Sequence, residues 1–346
     1  MPKGMVEIGR DFALSPPTGL GGDFPLSKPA PKGKHVCFID NGNQYTELFR
    51  RGVEQATAAL GWRVTVIQAD QNVSSSYGSA VRSSGQAGCD GVIMPSAQYA
   101  NYQSQIPGAI KRNMIILDAN SSNTVGKGVV KVLSANKLQY YEGAATANVV
   151  LKHIAQHHPK GDVTIQTVMV PQFANVFDPI LDGFNRQIAV GCGARCKIYT
   201  VTDDLSVATG PNPSAPFVAA LQRHPETDYM IQSGITDSGL VAALQQAGLK
   251  VPAIVGTAPL QSQLRDLRSE QPTTVAWVAQ PFITYGWFMV DGLVRYWADD
   301  KPYDPWAHHP DTKWALYPNN VEEFVDGGQS AFPKGYQQLF KSMWKI

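Results

Sequence analysis

His35-Val-Cys-Phe-Ile-Asp40-Asn-Gly-Asn-Gln-Tyr45 opens with an apolar run and closes in a turn of Asp, Asn and Gly. A short apolar run ended by such residues reads as a β-strand entering a loop. Beyond it, Leu48, Phe49, Val53, Ala56, Ala59 and Leu60 put apolar side chains on one face of a helix, which Gly61 stops. A second strand follows at Trp62–Ile67, a second helix at Ser74–Ala87, and a third strand at Gly91–Met94. A third helix covers Ile106–Lys111, and Met114–Leu117 is a fourth strand ending in Asp118-Ala-Asn120. Strand and helix alternate with short connections, and that rhythm calls for a parallel sheet covered by helices on both faces.

The rhythm then runs a second time. Helices are predicted at Leu138–His157, Asp178–Val190, Pro213–Arg223, Asp237–Ala247 and Leu260–Ser269. The strands between them are Val163–Val170, Lys197–Thr200, Tyr229–Gln232, Ala253–Val255 and Thr274–Ala279. Pro281–Trp297 is a helix so apolar that it must be buried, and Ala315–Tyr317 reads as a last short strand. The fold class is therefore α/β, with two doubly wound parallel-sheet lobes. A length of 346 residues agrees with about two domains. Residues 1–33, rich in Pro and Gly, read as an extended leader.

Charge and motifs narrow the function. Lys plus Arg is 29 and Asp plus Glu is 28, a net charge of +1, which gives no basic excess for nucleic acid. No run approaches the 18 or so apolar residues of a membrane span. The first turn lacks the G-x-G-x-x-G of a dinucleotide fold, and no phosphate loop, G-x-S-x-G elbow or H-E-x-x-H occurs. The expectation is a protein that is not an enzyme and uses no cofactor. His153 and His157, and His308-His309, read as solvated rather than metal-binding, so no metal is expected. Of the four cysteines, Cys192 and Cys196 are spaced for a small disulfide loop, whereas Cys37 and Cys89 read as buried thiols.

In open α/β sheets ligands sit at the carboxyl ends of the strands. Those ends offer Asn43, Tyr45, Gln98, Asp118 and Asn120 in the first half. The second half offers Asn175, Phe177, Asp178, Ser233, Thr257 and Gln280. Planar amides and carboxylates bind hydroxyls in pairs, and aromatic faces cover C–H surfaces. The set describes a site for a small polyhydroxylated ligand between two lobes. Each residue also has a plainer reading: Asp118 and Asn43 as turn residues, Tyr45 as core, Asp178 as a helix N-cap.

The order of these motifs resembles the type I periplasmic solute-binding proteins of ABC transporters, in the ribose- and galactose-binding branch. The residues that carry the likeness are Asn43-Gln-Tyr45, Phe49-Arg-Arg-Gly52, Gly91-Val-Ile-Met-Pro-Ser96 and Ile115-Ile-Leu-Asp118. Asp182-Gly-Phe184, Gln245-Gln-Ala-Gly248 and Val278-Ala-Gln-Pro281 continue it. The resemblance implies a three-segment hinge near residues 134–138, 280–282 and 315–318. It implies lobes of residues 34–136 plus 281–316 and of residues 137–280 plus 317–346. It also implies an extracytoplasmic, monomeric receptor that closes on a sugar or polyol and docks on ABC permease subunits. Asn43, Tyr45, Asp118 and Gln280 match the family's ligand contacts. Asp178 stands where the family has arginine, Ser233-Gly234 where it has Asn-Asp, and Thr257 where it has aspartate. With Asp118 and Asp178 both in reach, an amine-bearing ligand is an expected alternative to an ordinary sugar. A DNA-binding regulator built on the same module would need a helix-turn-helix ahead of the first strand, where this sequence has the Pro/Gly-rich leader.

Overall fold

The computed structural model describes residues 8–17, 19–20, 22, 24–158, 160–236, 239–269, 273–300, 313–324 and 331–346. The start of the helix expected at Asp237, and His308-His309, lie outside the described residues.

The first lobe is built on β1 (His35–Asp40), β2 (Arg63–Gln68), β3 (Gly91–Pro95), β4 (Ile115–Ala119) and β5 (Val129–Val132). They form a five-stranded parallel sheet in the order β2-β1-β3-β4-β5. Helices α1 (Gln44–Ala59), α2 (Ser74–Gln86) and α3 (Ile106–Lys111) connect its strands. Asn43 caps α1 by accepting from the Tyr45 N–H, and Gly61, at φ 66°, lets the chain turn back into β2. The helix α4 (Ala135–His157) then starts the second lobe.

There, α5 (Ala174–Gly191), α6 (Leu205–Ala208), α7 (Ala215–Arg223), α8 (Leu240–Gln246) and α9 (Gln261–Arg268) alternate with strands. The strands are β6 (Val163–Met169), β7 (Cys196–Thr202), β8 (Tyr229–Ser233), β9 (Ala253–Thr257), β10 (Thr274–Ala279) and β11 (Trp314–Leu316). The sheet order is β11-β10-β9-β8-β6-β7, and β11 alone runs antiparallel. Two helices complete the chain, α10 (Phe282–Ala298) and α11 (Tyr336–Trp344). The expected pair of α/β lobes is what the chain forms.

Several local expectations need correction. Strand β5 was not expected: Val129-Val-Lys-Val132 is half-buried at the sheet edge and too short to show a period. Helix α5 starts at Ala174, four residues before Asp178, so Asp178 lies inside the helix and caps nothing. Cys37 and Cys89 are joined in a disulfide, as are Cys192 and Cys196. Strand β11 pairs with β10, so residues 314–316 belong to the sheet of the second lobe and not to the first lobe. Helix α11 in turn packs on α10 of the first lobe, where Trp344 stacks on Trp287. That cover explains why α10 is apolar on nearly every side: α1, the first sheet and α11 all press on it.

The described part of the leader packs on both lobes, with a turn at residues 9–14. Leu20, Leu26 and Ala30 are buried in the first lobe, and Ala13 is buried against the second. Its backbone bonds to Ala315 in the second lobe and to Met343 and Trp344 of α11.

Candidate functional site

The carboxyl ends of the two sheets face each other across a cleft. Asn41, Asn43, Tyr45 and Thr46 enter it from β1 and α1, Ser96 from β3 and Asn120 from β4. Ser233, Thr257, Ala258 and Gln280 follow β8, β9 and β10. Gln139 and Glu142 reach it from α4, and Phe173, Val176, Phe177 and Ile180 from α5 and the turn before it. Phe49, Ile235 and Phe282 complete a wall that is largely apolar.

The lobes are closed on this cleft. The Tyr45 hydroxyl donates to the Ala258 carbonyl at 2.7 Å, and the Gln98 amide to the Gln172 carbonyl at 2.9 Å. The Asn175 amide donates to the Ser96 carbonyl at 3.2 Å, and the Ser122 N–H to the Asn175 carbonyl at 2.9 Å.

The structure sorts the expected site residues. Asn43, Tyr45, Asn120, Phe177, Ser233, Thr257 and Gln280 line the cleft. Gln98 and Asn175 do not; they hold one lobe to the other. Asp178 is exposed on α5 away from the lining. Asp118 is fully buried and also absent from the lining. It accepts from the Tyr102 and Ser121 hydroxyls and, at 2.7 Å, from the Asn123 amide. Burial pushes its carboxyl above the usual range, while those donors and nearby Lys131 pull the other way. The electrostatic case for an amine-bearing ligand rested on Asp118 and Asp178, and neither reaches the cleft.

Much of the polar lining from the first lobe is already committed. The Asn41 side-chain oxygen accepts from the Asn43 N–H and the Thr46 hydroxyl, and its amide donates to Tyr77. The Asn43 oxygen caps α1, and its amide donates to Gln71 at 3.3 Å. Gln139 donates to Asn120 at 2.7 Å, and Asn120 donates to Ser96 at 2.8 Å.

Glu142 is the functional candidate that sequence reasoning missed. Its side chain is buried, and no hydrogen bond of ordinary geometry reaches either carboxylate oxygen. Burial raises its pKa; Lys313, Thr257 and Gln280 stand close enough to favour the charged form. Lys313 is itself buried and donates to the Gln280 oxygen and, at 3.2 Å, to the Tyr285 hydroxyl. Desolvation draws its pKa down to about 7 against the pull of Glu142. One signal was available: Glu142 is the lone charge between Tyr140-Tyr141 and Gly143-Ala-Ala-Thr-Ala147, a run of small residues. Lys313 sits after a Pro- and Trp-rich tail with no pattern to place it.

A pair of closed parallel-sheet lobes with an amide- and aromatic-lined cleft between them is the type I periplasmic binding fold. Solved structures agree. A sugar ABC transport system substrate-binding protein from Bordetella parapertussis superposes with a TM-score of 0.70 at 16% identity, covering 90% of this chain and 98% of that one. A solute-binding protein from Burkholderia graminis, in complex with D-arabinose, gives 0.69 at 17% identity over 86% and 99%. The 5-methylthioribose transporter solute-binding protein from Thermotoga lettingae, in complex with that sugar, gives 0.67 at 13% over 92% and 99%. In sequence, no family model and no curated protein gives a match.

Proposed function

We propose that this chain is the extracytoplasmic solute receptor of an ABC transporter. It binds a sugar, a polyol or a related polyhydroxylated solute between its lobes and presents it, as a monomer, to the permease subunits. The observation that carries the reading is the cleft itself. It lies at the carboxyl ends of two parallel sheets, and its described lining holds amides, hydroxyls, aromatic rings and the Glu142 carboxyl, with no Lys or Arg. Of the solved neighbours named above, one is a sugar ABC transport substrate-binding protein and two are transporter solute-binding proteins, with D-arabinose and 5-methylthioribose bound. The two disulfides suit an oxidising compartment, and among the described residues no helix is long and apolar enough to cross a membrane.

The test is a thermal-shift panel of pentoses, hexoses, polyols and amino sugars, followed by calorimetry on each hit. At least one should raise the melting temperature in a concentration-dependent way and be recovered unchanged. A panel without a single binder, or turnover of any member, overturns the receptor reading.

A further inference from the structure

Glu142 and Gln139 sit three residues apart on α4, so they share one helix face, and both line the cleft. No hydrogen bond of ordinary geometry reaches three of their oxygens, both of Glu142 and the Gln139 carbonyl, although the Thr257 hydroxyl and the Gln280 amide stand close enough to Glu142 to favour its charged form. All three are acceptors. A buried acceptor left without a donor costs free energy, and water or a ligand must supply the hydrogens. Two of the donors nearby are engaged elsewhere. Gln139 gives its amide to Asn120, and Lys313 gives its ammonium to Gln280 and Tyr285.

Lys313 also balances the charge. Lys313 is buried near Glu142, and the two add no net charge to this part of the cleft whether both are charged or both are neutral. A cationic ligand would gain little there, whereas hydroxyls donate without bringing charge. The adjoining part of the lining has another character. Phe177, Ile180, Ser233 and Thr257 belong both to the cleft and to a recess that continues into the second lobe. That recess is lined further by Val168, Leu181, Phe184 and Ile231, with Thr146, Thr167 and Gln232 among them, and the surface it exposes is mainly apolar. It suits a hydrocarbon or thioether group and gives little to a hydroxyl.

We propose that Glu142, aided by Gln139, is the anchor that accepts the hydroxyls of the bound solute. Gln280 and Lys313 position it, and the solute is a neutral sugar or polyol with an apolar substituent seated in the recess beside Ile180. This rests on the receptor reading and narrows it to a residue and a ligand class.

The experiment measures dissociation constants by calorimetry for D-ribose, 5-methylthioribose and D-glucosamine. It uses the full chain, Glu142→Gln, and Asp178→Asn as a matched charge control on exposed α5. Circular dichroism and the melting curve confirm that each variant is folded. If Glu142→Gln is not, Gln139→Ala, which keeps the Glu142–Lys313 pair, takes its place with a tenfold expected loss. The parent should bind 5-methylthioribose about tenfold more tightly than ribose, the worth of burying one small apolar group. Glu142→Gln should lose on the order of a hundredfold for both, and Asp178→Asn less than twofold. A folded anchor variant with parental affinity overturns the anchor while leaving the receptor intact. Ribose binding as tightly as 5-methylthioribose overturns the apolar substituent, and glucosamine binding most tightly overturns the neutral class. If no sugar in the wider panel binds the parent, the receptor reading falls and takes this proposal with it.

Discussion

Asp118 and Glu142 are both buried carboxylates, and their neighbours separate their roles. Asp118 receives three side-chain donors, from Tyr102, Ser121 and Asn123, and so ties the end of β4 to the following loop. Removing it strands those donors in a dry site. We expect Asp118→Ala to lower stability by about 2–4 kcal/mol, read by denaturant titration. Its loss in ligand affinity should be at least tenfold smaller than that of Glu142→Gln. A variant that keeps parental stability but loses binding would return Asp118 to the ligand. The chain order showed Asp118 at a strand end, which is where ligand carboxylates stand, but not whether its oxygens were already taken. That depends on Tyr102, sixteen residues upstream, folding back over β4. Asn43 was legible as a turn residue and as a cleft residue, and it is both: its oxygen caps α1 while its side chain lines the cleft.

Between elements, one close helix crossing stands in each lobe. In the first lobe α1 meets α10 at Gly52 and Gly286, and a Cβ on Gly52 would lie 1.9 Å from the Ile283 carbonyl. In the second, α4 meets α5 at Gly143 and Gly183, and a Cβ on Gly143 would lie 1.9 Å from the Ile180 carbonyl. Backbones this close leave no room for a methyl group, so only glycine fits. The second crossing also sets the site, because Glu142 and Gln139 project from α4 while Phe177 and Ile180 project from α5. Gly143→Ala should therefore push the two helices apart, costing about 1–3 kcal/mol, and weaken ligand binding in the same variant. Melting curves with and without ligand measure both effects; parental values in each would show that the crossing yields at no cost. The helices and strands themselves were readable from apolar period and turn residues. The pairings were not: Gly143 and Gly183 are forty residues apart, and a lone helical glycine signals weakness before it signals contact. Helix α11 escaped notice for a related reason. Tyr336, Phe340, Met343 and Trp344 form its buried face, but they follow a Pro- and Gly-rich tail and become meaningful only once α10 needs a cover.

For the whole molecule, closure is a balance among contacts that span the lobes. The described part of the leader touches both lobes, bonded to Ala315 at Ala13 and to Met343 and Trp344 at Leu26 and Ala30. Its carbonyl at Phe24 accepts from Arg295, whose ion pair with Asp291 is buried within α10 and receives Trp344 as well. These ties sit away from the cleft and hold the back of the molecule. At the front, Gln98 is the contact best suited to test closure, because it bridges the lobes without lining the cleft. Deleting its amide removes one neutral hydrogen bond from the closed form and touches no ligand atom. One such bond is worth about 1 kcal/mol, so the closed population falls and the apparent dissociation constant rises in proportion. Gln98→Ala should weaken binding about two- to fivefold, with most of the change in the dissociation rate. Small-angle scattering of the ligand-free variant should show a larger radius of gyration than the parent, and saturating ligand should bring the two together. Unchanged affinity together with unchanged scattering would mean that the bond to Gln172 follows closure and contributes nothing to it.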